Sequence, residues 1–223
     1  MNTAFIYLDT NILKFAAYRK MRLIPTLQHV RWGKIEDWVT VYSRVETDTR
    51  REIKDENLRV EIGYLRLISD AGKAGRARFF MNNETVLESW GLPGIWDTMD
   101  GDSFQPIEYA PAPVNYGRVI MGVGMDTKRA QQEFIASLPH PRLAQLKKWT
   151  GASQGKSTNR NQLLDAFHIW CAEYNGCTYF LTLDLKLIRS LTPHFSRIGT
   201  LPIQPSRLAK TLGLVHDDFD PTV

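Results

Sequence analysis

The segment FIYLDTN (residues 5–11), near the start of the chain, decides the fold prediction. Its first four residues are apolar and include β-forming types, and the run stops at Asp9, which is typical of a short buried strand. The carboxyl ends of such strands are where α/β sheets place their ligands. The segment therefore predicts an interior strand that ends on a polar group.

Two more apolar runs, residues 77–81 and 178–183, have the same character. Each strand-like run is followed or preceded by residues at helical spacing. One helix is expected to begin near Glu84, with Asn82 or Asn83 as its N-cap, and another is expected to end at Asn175-Gly176. Strands that alternate with helices predict an α/β fold whose parallel sheet is covered on both faces.

Length and composition are those of an ordinary globular protein. The 223 residues favour a single domain over residues 1–223, and 43% hydrophobic with 23% charged residues argues against disordered, coiled-coil and collagen-like chains. Two cysteines are too few for a disulfide scaffold. Because the first residues carry neither a basic leader nor a long apolar run, we expect a cytoplasmic protein without a membrane span.

The positive charge is concentrated late in the chain. The net charge is +4, yet residues 127–212 carry 12 Lys and Arg against 4 Asp and Glu. Basic regions of this kind favour an anionic partner such as RNA, although solvated surface charge is the plainer interpretation.

Two stretches exceed what the strand and helix pattern requires. Residues 16–76 are expected to be an extra helical stretch, because apolar residues recur there at helical spacing. These residues are Trp38, Val41, Tyr42, Val45, Leu58, Ile62, Leu65 and Ile68. Residues 91–150 are expected to be an irregular and helical insertion, rich in proline, glycine and aromatics at first and helical from 126 to 149 with a break at Pro139 and Pro141.

Four acidic residues fall at comparable places in this pattern. Asp9 closes the first strand, Glu88 lies in the helix after the second, Asp165 lies in the penultimate helix, and Asp184 closes the last long strand. In a parallel sheet all four point toward one end. Taken singly, Asp9 and Asp165 could cap helices and Asp184 could begin a turn.

A cluster of four carboxylates requires neutralisation. Two carboxylates about 4 Å apart repel each other by roughly 4 kcal/mol at an effective dielectric constant near 20. Ligands that offer only oxygen favour Mg²⁺ or Mn²⁺ over zinc or copper. Such ions beside basic surface are suited to the hydrolysis of phosphodiester bonds.

The acids and their neighbours resemble the four acidic motifs of the PIN-domain ribonucleases. The matching strings are FIYLDTNIL (5–13), NETVLE (83–88), LDAFH (164–168) and FLTLD (180–184). The resemblance covers residues 4–15, about 77–90 and about 160–190. It implies a three-layer α/β/α fold with a central parallel sheet, enlarged here by insertions. It also implies a metal-dependent endoribonuclease that uses Mg²⁺ or Mn²⁺ and a metal-activated water.

Residue roles follow from the same resemblance. Asp9, Glu88, Asp165 and Asp184 match the catalytic, metal-ligating acids, and Asn11 and Thr182 match polar positions that support the site. The choice between Glu88 and Glu84 stays open, because the two lie one helical turn apart. His168, one turn after Asp165, is interpreted either as a general base or as a residue that packs against the helix or pairs with an acid.

The loop at residues 151–160 has the look of a nucleotide-binding phosphate loop but is one residue too short and follows a helix. We expect it instead to be a basic rim on which Lys156 and Arg160 bind backbone phosphates, or a plain solvated connector. A phosphatase with an aspartyl nucleophile is disfavoured, because Asn11 stands where a second Asp would be needed.

Three further interpretations concern partners. A catalytically inactive PIN-fold module that binds RNA or protein is the alternative to an enzyme. Some relatives of this type are toxins blocked by an antitoxin-type protein inhibitor, although the extra length here weakens that analogy. The apolar residues around Trp38 and Leu58 are expected to lie in the core or at a homodimer interface.

Overall fold

The structure is a computed structural model that describes residues 3–16, 19–33, 35–48, 52–89, 103–117, 125–152, 159–216 and 219–221. The strands are β1 (Ala4–Leu8), β2 (Arg19–Trp32), β3 (Ile35–Asp48), β4 (Ala77–Met81), β5 (Ile107–Tyr109), β6 (Tyr179–Leu181) and β7 (Leu201–Ile203). The helices are α1 (Thr10–Ala16), α2 (Glu56–Gly63), α3 (Leu65–Lys73), α4 (Asn83–Ser89), α5 (Met125–Ser137), α6 (Pro141–Trp149), α7 (Arg160–Tyr174), α8 (Leu185–Leu191) and α9 (Pro205–Thr211). A 3₁₀ helix spans Thr192–Arg197.

Five of the strands form one parallel sheet in the order β5-β4-β1-β6-β7. The three strands that the sequence predicts, β1, β4 and β6, are its centre. The two edge strands were not predicted from the sequence. Each is only three residues long, and β7 contains Pro202, which is tolerated at an edge because it has no N–H to donate.

Helices cover both faces of this sheet, because successive side chains of a strand point to opposite sides. Ile6 and Leu8 of β1 pack in a core with α1, α2, α3 and α9. Tyr7, between them, packs on the other face in a core with α6, α7 and α8. The predicted three-layer α/β/α fold with a central parallel sheet is confirmed.

The predicted helix that contains Trp38, Val41, Tyr42 and Val45 is wrong. These residues lie in β3, which pairs antiparallel with β2 as a long hairpin that turns at Gly33, where φ is 62°. A spacing of four residues does not distinguish the two structures, because residues i and i+4 share a face in a strand as well as in a helix. The β-branched valines and threonines of this stretch favour the strand.

The hairpin presents large apolar side chains to solvent rather than to the core. Leu27, Trp38 and Tyr42 are 66%, 63% and 62% exposed, and the Trp38 ring contacts the His29 ring in a tilted arrangement with centres 5.1 Å apart. The core position predicted for Trp38 is therefore wrong in the single chain. A homodimer interface at this hairpin stays a prediction.

Two later parts of the 16–76 stretch, α2 and α3, are helical as predicted, whereas β2 is a strand like β3. Ile62, Leu65 and Ile68 lie on α2 and α3 and are buried. In the other insertion, α5 and α6 occupy most of the predicted helical stretch and are separated at the two prolines. Residues 91–102 and 118–124 of that insertion lie outside the described part of the chain.

In the portion of the chain that is described, no helix is long and apolar enough to cross a membrane. Cys171 and Cys177 are buried free thiols, as expected from a chain without a disulfide scaffold.

Gly72 provides a test of the packing between α3 and β4. A Cβ atom at this position would lie 2.2 Å from Cε2 of Phe79, a ring that is 1% exposed. We expect Gly72→Ala to lower the free energy of unfolding by about 1–3 kcal/mol in urea denaturation. Gly117→Ala is the control, because nothing lies within 4 Å of a Cβ there. Equal stability of the two variants would contradict the described packing.

Candidate functional site

The site lies where the sheet connections change direction. The chain leaves β1 toward β4 on one side of the sheet, and it leaves β6 toward β7 on the other side. Adjacent parallel strands with oppositely directed connections leave a crevice at their carboxyl ends, which is the usual place for a ligand in such sheets. Asp9 follows β1, and Thr182 to Asp184 follow β6, so both acids border this crevice.

Asp9 is the most deeply placed of the four predicted acids, with 5% of its surface exposed. Its backbone N–H donates to the Leu181 carbonyl oxygen at 3.1 Å. Its Oδ2 accepts from Thr182 Oγ1 at 2.6 Å and from Asn11 Nδ2 at 2.6 Å. The two residues predicted to support the site therefore hold the Asp9 carboxylate directly.

Asn11 also ties the two strand ends together. Its Nδ2 lies 3.2 Å from Thr182 Oγ1, and its Oδ1 accepts the Leu183 N–H at 3.1 Å. The Thr182 hydroxyl oxygen in turn accepts the Asp184 N–H at 3.0 Å. Asn11 is thus a bridging amide, a role that a second carboxylate at this position would not fill, because a carboxylate has no proton to donate.

Asp184 is the N-cap of α8, a role that the sequence analysis considered for Asp9 and Asp165 but not for Asp184. Its Oδ1 accepts the Lys186 and Leu187 N–H groups at 2.7 and 3.1 Å. The other oxygen, Oδ2, accepts no hydrogen bond from the described residues. The cap holds one oxygen of the carboxylate and leaves the second available to a ligand.

The structure separates Glu88 from Glu84. Glu84 is 2% exposed and accepts hydrogen bonds from Tyr116 Oη and Gln131 Nε2, each at 2.9 Å. Glu88 accepts from Thr10 Oγ1 at 2.6 Å, beside Asp9. The helix turn between them places Glu84 against the insertion and Glu88 with the other acids, so the geometry favours Glu88.

Behind Glu88 lies a polar pair that the sequence interpretation did not connect to it. His168 Nε2 is 3.4 Å from Glu88 Oε2, and His168 Nδ1 is 3.1 Å from Tyr7 Oη. His168 is 1% exposed and Tyr7 is fully buried. His168 therefore pairs with Glu88 rather than with Asp165, the acid on its own helix. Thr10, adjacent to Asp9 in sequence, was also missed.

Asp165 differs from the other three acids because it has no hydrogen-bond partner among the described residues. It is half-buried in the first half of α7, among Leu163, Leu164, Ala166 and Phe167, which are all buried. Burial raises its pKa well above the ordinary value of an aspartate, and the charges of the other three acids raise it further. A carboxylate in this state costs stability unless a proton or a cation joins it.

The charge interactions link all four predicted acids into one group. The pKa of Asp9 is raised to about 6. Burial is the main cause, the charge of Glu88 adds to it, and the hydrogen bond from Thr182 acts in the opposite direction. Burial would also raise the pKa of Glu88. The hydrogen bond with His168, the charge of that ring when it is protonated, the hydrogen bond from Thr10 and the charge of Arg160 together bring it below its usual value. Asp165 is raised by Asp9, Asp184 and Glu88 in that order.

The donor set fits a hard divalent cation by its chemistry, because it consists of carboxylate oxygens with excess negative charge. As placed in the described residues, no three His, Cys, Asp or Glu side chains form a group that could hold a metal ion. What favours a cation is the unbalanced negative charge, together with the carboxylate oxygens that accept no hydrogen bond from the described residues.

Arg160 and Lys156 were predicted to bind phosphate. Arg160 Nη2 donates to Gln131 Oε1 at 2.5 Å, and its positive charge lowers the pKa of Glu88. Its Nε is buried and has no hydrogen-bond partner in the part of the molecule described. Lys156 lies in residues 153–158, outside the described chain. Gln131 was missed by the sequence interpretation, since nothing in its local pattern distinguishes it.

A groove of about 670 Å³ opens beside Asp184, between α2 and the turn that follows β6. Leu58 and Glu61 line one side of it, and Leu183 and Lys186 line the other. The groove therefore connects Asp184, one of the four acids, to α2, which lies outside the four acidic motifs.

No protein-family model, no curated protein and no solved structure matches the chain. The class that the structure itself defines is a three-layer α/β/α protein with a parallel sheet and an acidic crevice at its carboxyl end.

The raised pKa of Asp165 predicts a pH-dependent stability. A group whose pKa is higher in the folded state than in the unfolded state stabilises the protein at low pH, and this contribution is lost as pH rises through the folded pKa. In buffer with EDTA, Asp165→Asn should be more stable than wild type by roughly 1–2 kcal/mol at pH 8. The difference should shrink as pH falls toward 4, as measured by urea denaturation.

Asp70→Asn is the matched control, since Asp70 is an exposed carboxylate on α3 that lies 3.9 Å from Arg66. Its effect at pH 8 should stay within about 0.5 kcal/mol. If Asp165→Asn were less stable than wild type at pH 8, the Asp165 carboxylate would be compensated within the protein and the charge argument would fail.

Proposed function

We propose that the protein is a metal-dependent endoribonuclease of the PIN type, with Asp9, Glu88, Asp165 and Asp184 as its catalytic and metal-ligating acids. The observation that carries this proposal is Asp165. It is a half-buried carboxylate with no hydrogen-bond partner among the described residues, and three other acids raise its pKa. A stable fold gains nothing from such a group, so its presence is best accounted for by a bound cation.

Mg²⁺ or Mn²⁺ held by these acids would supply Lewis-acid activation of a water and stabilisation of charge on the scissile phosphate. The chain's own part is to hold the carboxylates in a fixed orientation. Thr182 and Asn11 hold one oxygen of Asp9, and backbone N–H groups hold one oxygen of Asp184. Thr10 does the same for Glu88.

The substrate side of the proposal rests on charge and access. Asp184 borders both the crevice and the groove along α2, so a strand of RNA lying in that groove would reach the acids. The positive charge of Arg160 acts on Glu88, which places a cation at the rim of the same site. This charge would attract a backbone phosphate that lies beside Glu88.

The test of the proposed activity is cleavage of single-stranded and structured RNA by purified protein with Mg²⁺ or Mn²⁺. We expect products with a 5′-phosphate and a 3′-hydroxyl, as implied by attack of a water in line with the leaving oxygen. Asp9→Asn, Glu88→Gln and Asp165→Asn should each lower the cleavage rate by about 100-fold or more, since each removes a charge from the site.

Glu84→Gln is the matched control for Glu88→Gln, because both residues lie on α4 and only Glu88 joins the other acids. It should retain activity within about threefold. Cleavage that survives EDTA, or that is equal in wild type and all three site variants, would mean that a contaminant is responsible. Loss of activity in Glu84→Gln alone would exchange the roles of the two glutamates.

Binding of the ion can be measured without any RNA. A ligand at about 100 times its dissociation constant stabilises the folded state by roughly 2.7 kcal/mol. Thermal denaturation of wild type should therefore shift upward with millimolar Mn²⁺, and Asp165→Asn should shift much less. If Mn²⁺ produced no shift in wild type, the alternative of a catalytically inactive module that binds RNA or protein would be favoured.

A further inference from the structure

Three buried polar side chains lie beneath Glu88, among apolar residues of the core. Tyr7 and Thr85 have no exposed surface, and His168 has 1%. They belong to the face of the sheet that is filled by residues such as Phe167 and Phe180. Burying polar groups costs free energy that their mutual hydrogen bonds only offset. Apolar side chains of the same shape would fill this space as well, so packing alone does not account for them.

These side chains form a connected series that ends on Glu88. Tyr7 Oη lies 3.4 Å from Thr85 Oγ1 and 3.1 Å from His168 Nδ1. His168 Nε2 lies 3.4 Å from Glu88 Oε2. Tyr7 also stacks on Phe180, with ring centres 5.6 Å apart, so its ring has little freedom to turn. The series is therefore rigid at its buried end.

The direction of the hydrogen bonds follows from the chemistry of Glu88. An ionised carboxylate only accepts, so His168 Nε2 must carry a proton and donate it. In the neutral imidazole, Nδ1 then accepts the hydroxyl proton of Tyr7. Tyr7 thereby selects the form of the His168 ring that donates to Glu88.

Both donors to Glu88 meet the same oxygen. Thr10 Oγ1 and His168 Nε2 approach Oε2, whereas Oε1 accepts no hydrogen bond from the described residues. We propose that Tyr7 and His168 are positioning residues, which hold Oε2 of Glu88 so that Oε1 is presented to a divalent cation in the crevice. This inference rests on the proposed function, and it assigns to the buried pair a role in metal affinity.

Glu84 provides an internal comparison. Like Glu88 it is a carboxylate of α4, and it accepts a hydrogen bond directly from a tyrosine hydroxyl, Tyr116 Oη, at 2.9 Å. Its charge is not among those that shift the pKa of Asp9, Glu88 or Asp165. The change Tyr116→Phe also removes a tyrosine hydroxyl, but one that bonds to Glu84 and not to the network behind Glu88. It is therefore the control for Tyr7→Phe.

The first experiment reads the proton position on His168 directly, with no metal and no RNA. Long-range proton–nitrogen correlation spectra of protein labelled with ¹⁵N-histidine should show His168 with a protonated Nε2, the signal being assigned by its absence in His168→Gln. A ring protonated on Nδ1 with a bare Nε2 would overturn the inference, whatever the protein's activity.

The second experiment measures the dissociation constant of Mn²⁺ by thermal shift or calorimetry. Tyr7→Phe should weaken Mn²⁺ binding by about tenfold, as is common when a group behind a metal ligand is removed. His168→Phe should weaken it at least as much. His168→Gln, whose amide nitrogen can still donate to Glu88, should restore affinity to within about threefold of wild type.

The outcomes separate this inference from the nuclease proposal. Weaker Mn²⁺ binding in Tyr7→Phe, with Tyr116→Phe within twofold of wild type, supports the positioning role even if no RNA is cleaved. Unchanged Mn²⁺ affinity in a folded Tyr7→Phe protein overturns it even if wild type is an active nuclease. If His168→Phe fails to fold, the comparison of Tyr7→Phe with Tyr116→Phe still decides.

Discussion

The hydrogen bond from Thr182 Oγ1 to Asp9 Oδ2 joins the carboxyl ends of β1 and β6, two strands that are about 170 residues apart in sequence. Around it, the Asp9 N–H meets the Leu181 carbonyl, and Asn11 bridges from Asp9 to Leu183. Parallel pairing brings these ends together because all strands of the sheet terminate at the same edge. The acidic crevice exists only while this pairing holds.

The cost of the crevice is electrostatic. Hydroxyl, amide and backbone groups donate hydrogen bonds to one oxygen each of Asp9, Glu88 and Asp184. These bonds restrain the carboxylates without neutralising their charge. Asp165 receives no such donor from the described residues, and its pKa rises accordingly. Unbalanced charge of this kind is typical of functional sites, where strain in the free protein is relieved by the ligand.

The two stretches outside the four acidic motifs contribute differently. The helical part of residues 52–73 lines the groove beside Asp184 and buries Ile62, Leu65 and Ile68 against the sheet. The insertion supplies Tyr116 and Gln131, which occupy Glu84 and hold it in a buried network away from the other acids. The hairpin of β2 and β3 instead exposes its aromatic residues. The additional segments thus contribute residues both to the surroundings of the four acids and to the exposed surface.

Sequence alone determined the strands at the centre of the sheet and the helix caps around Asn82 and Asn175. It also singled out the four acids. The strands and caps could be predicted because they depend on the local hydrophobic pattern and on capping residues. The sequence interpretation misread residues 38–45, since a four-residue spacing fits a strand as well as a helix. It also left Glu84 and Glu88 undecided. Only the tertiary structure separated these two, by placing Thr10 and His168 beside one and Gln131 beside the other, and such contacts between distant segments leave no local pattern.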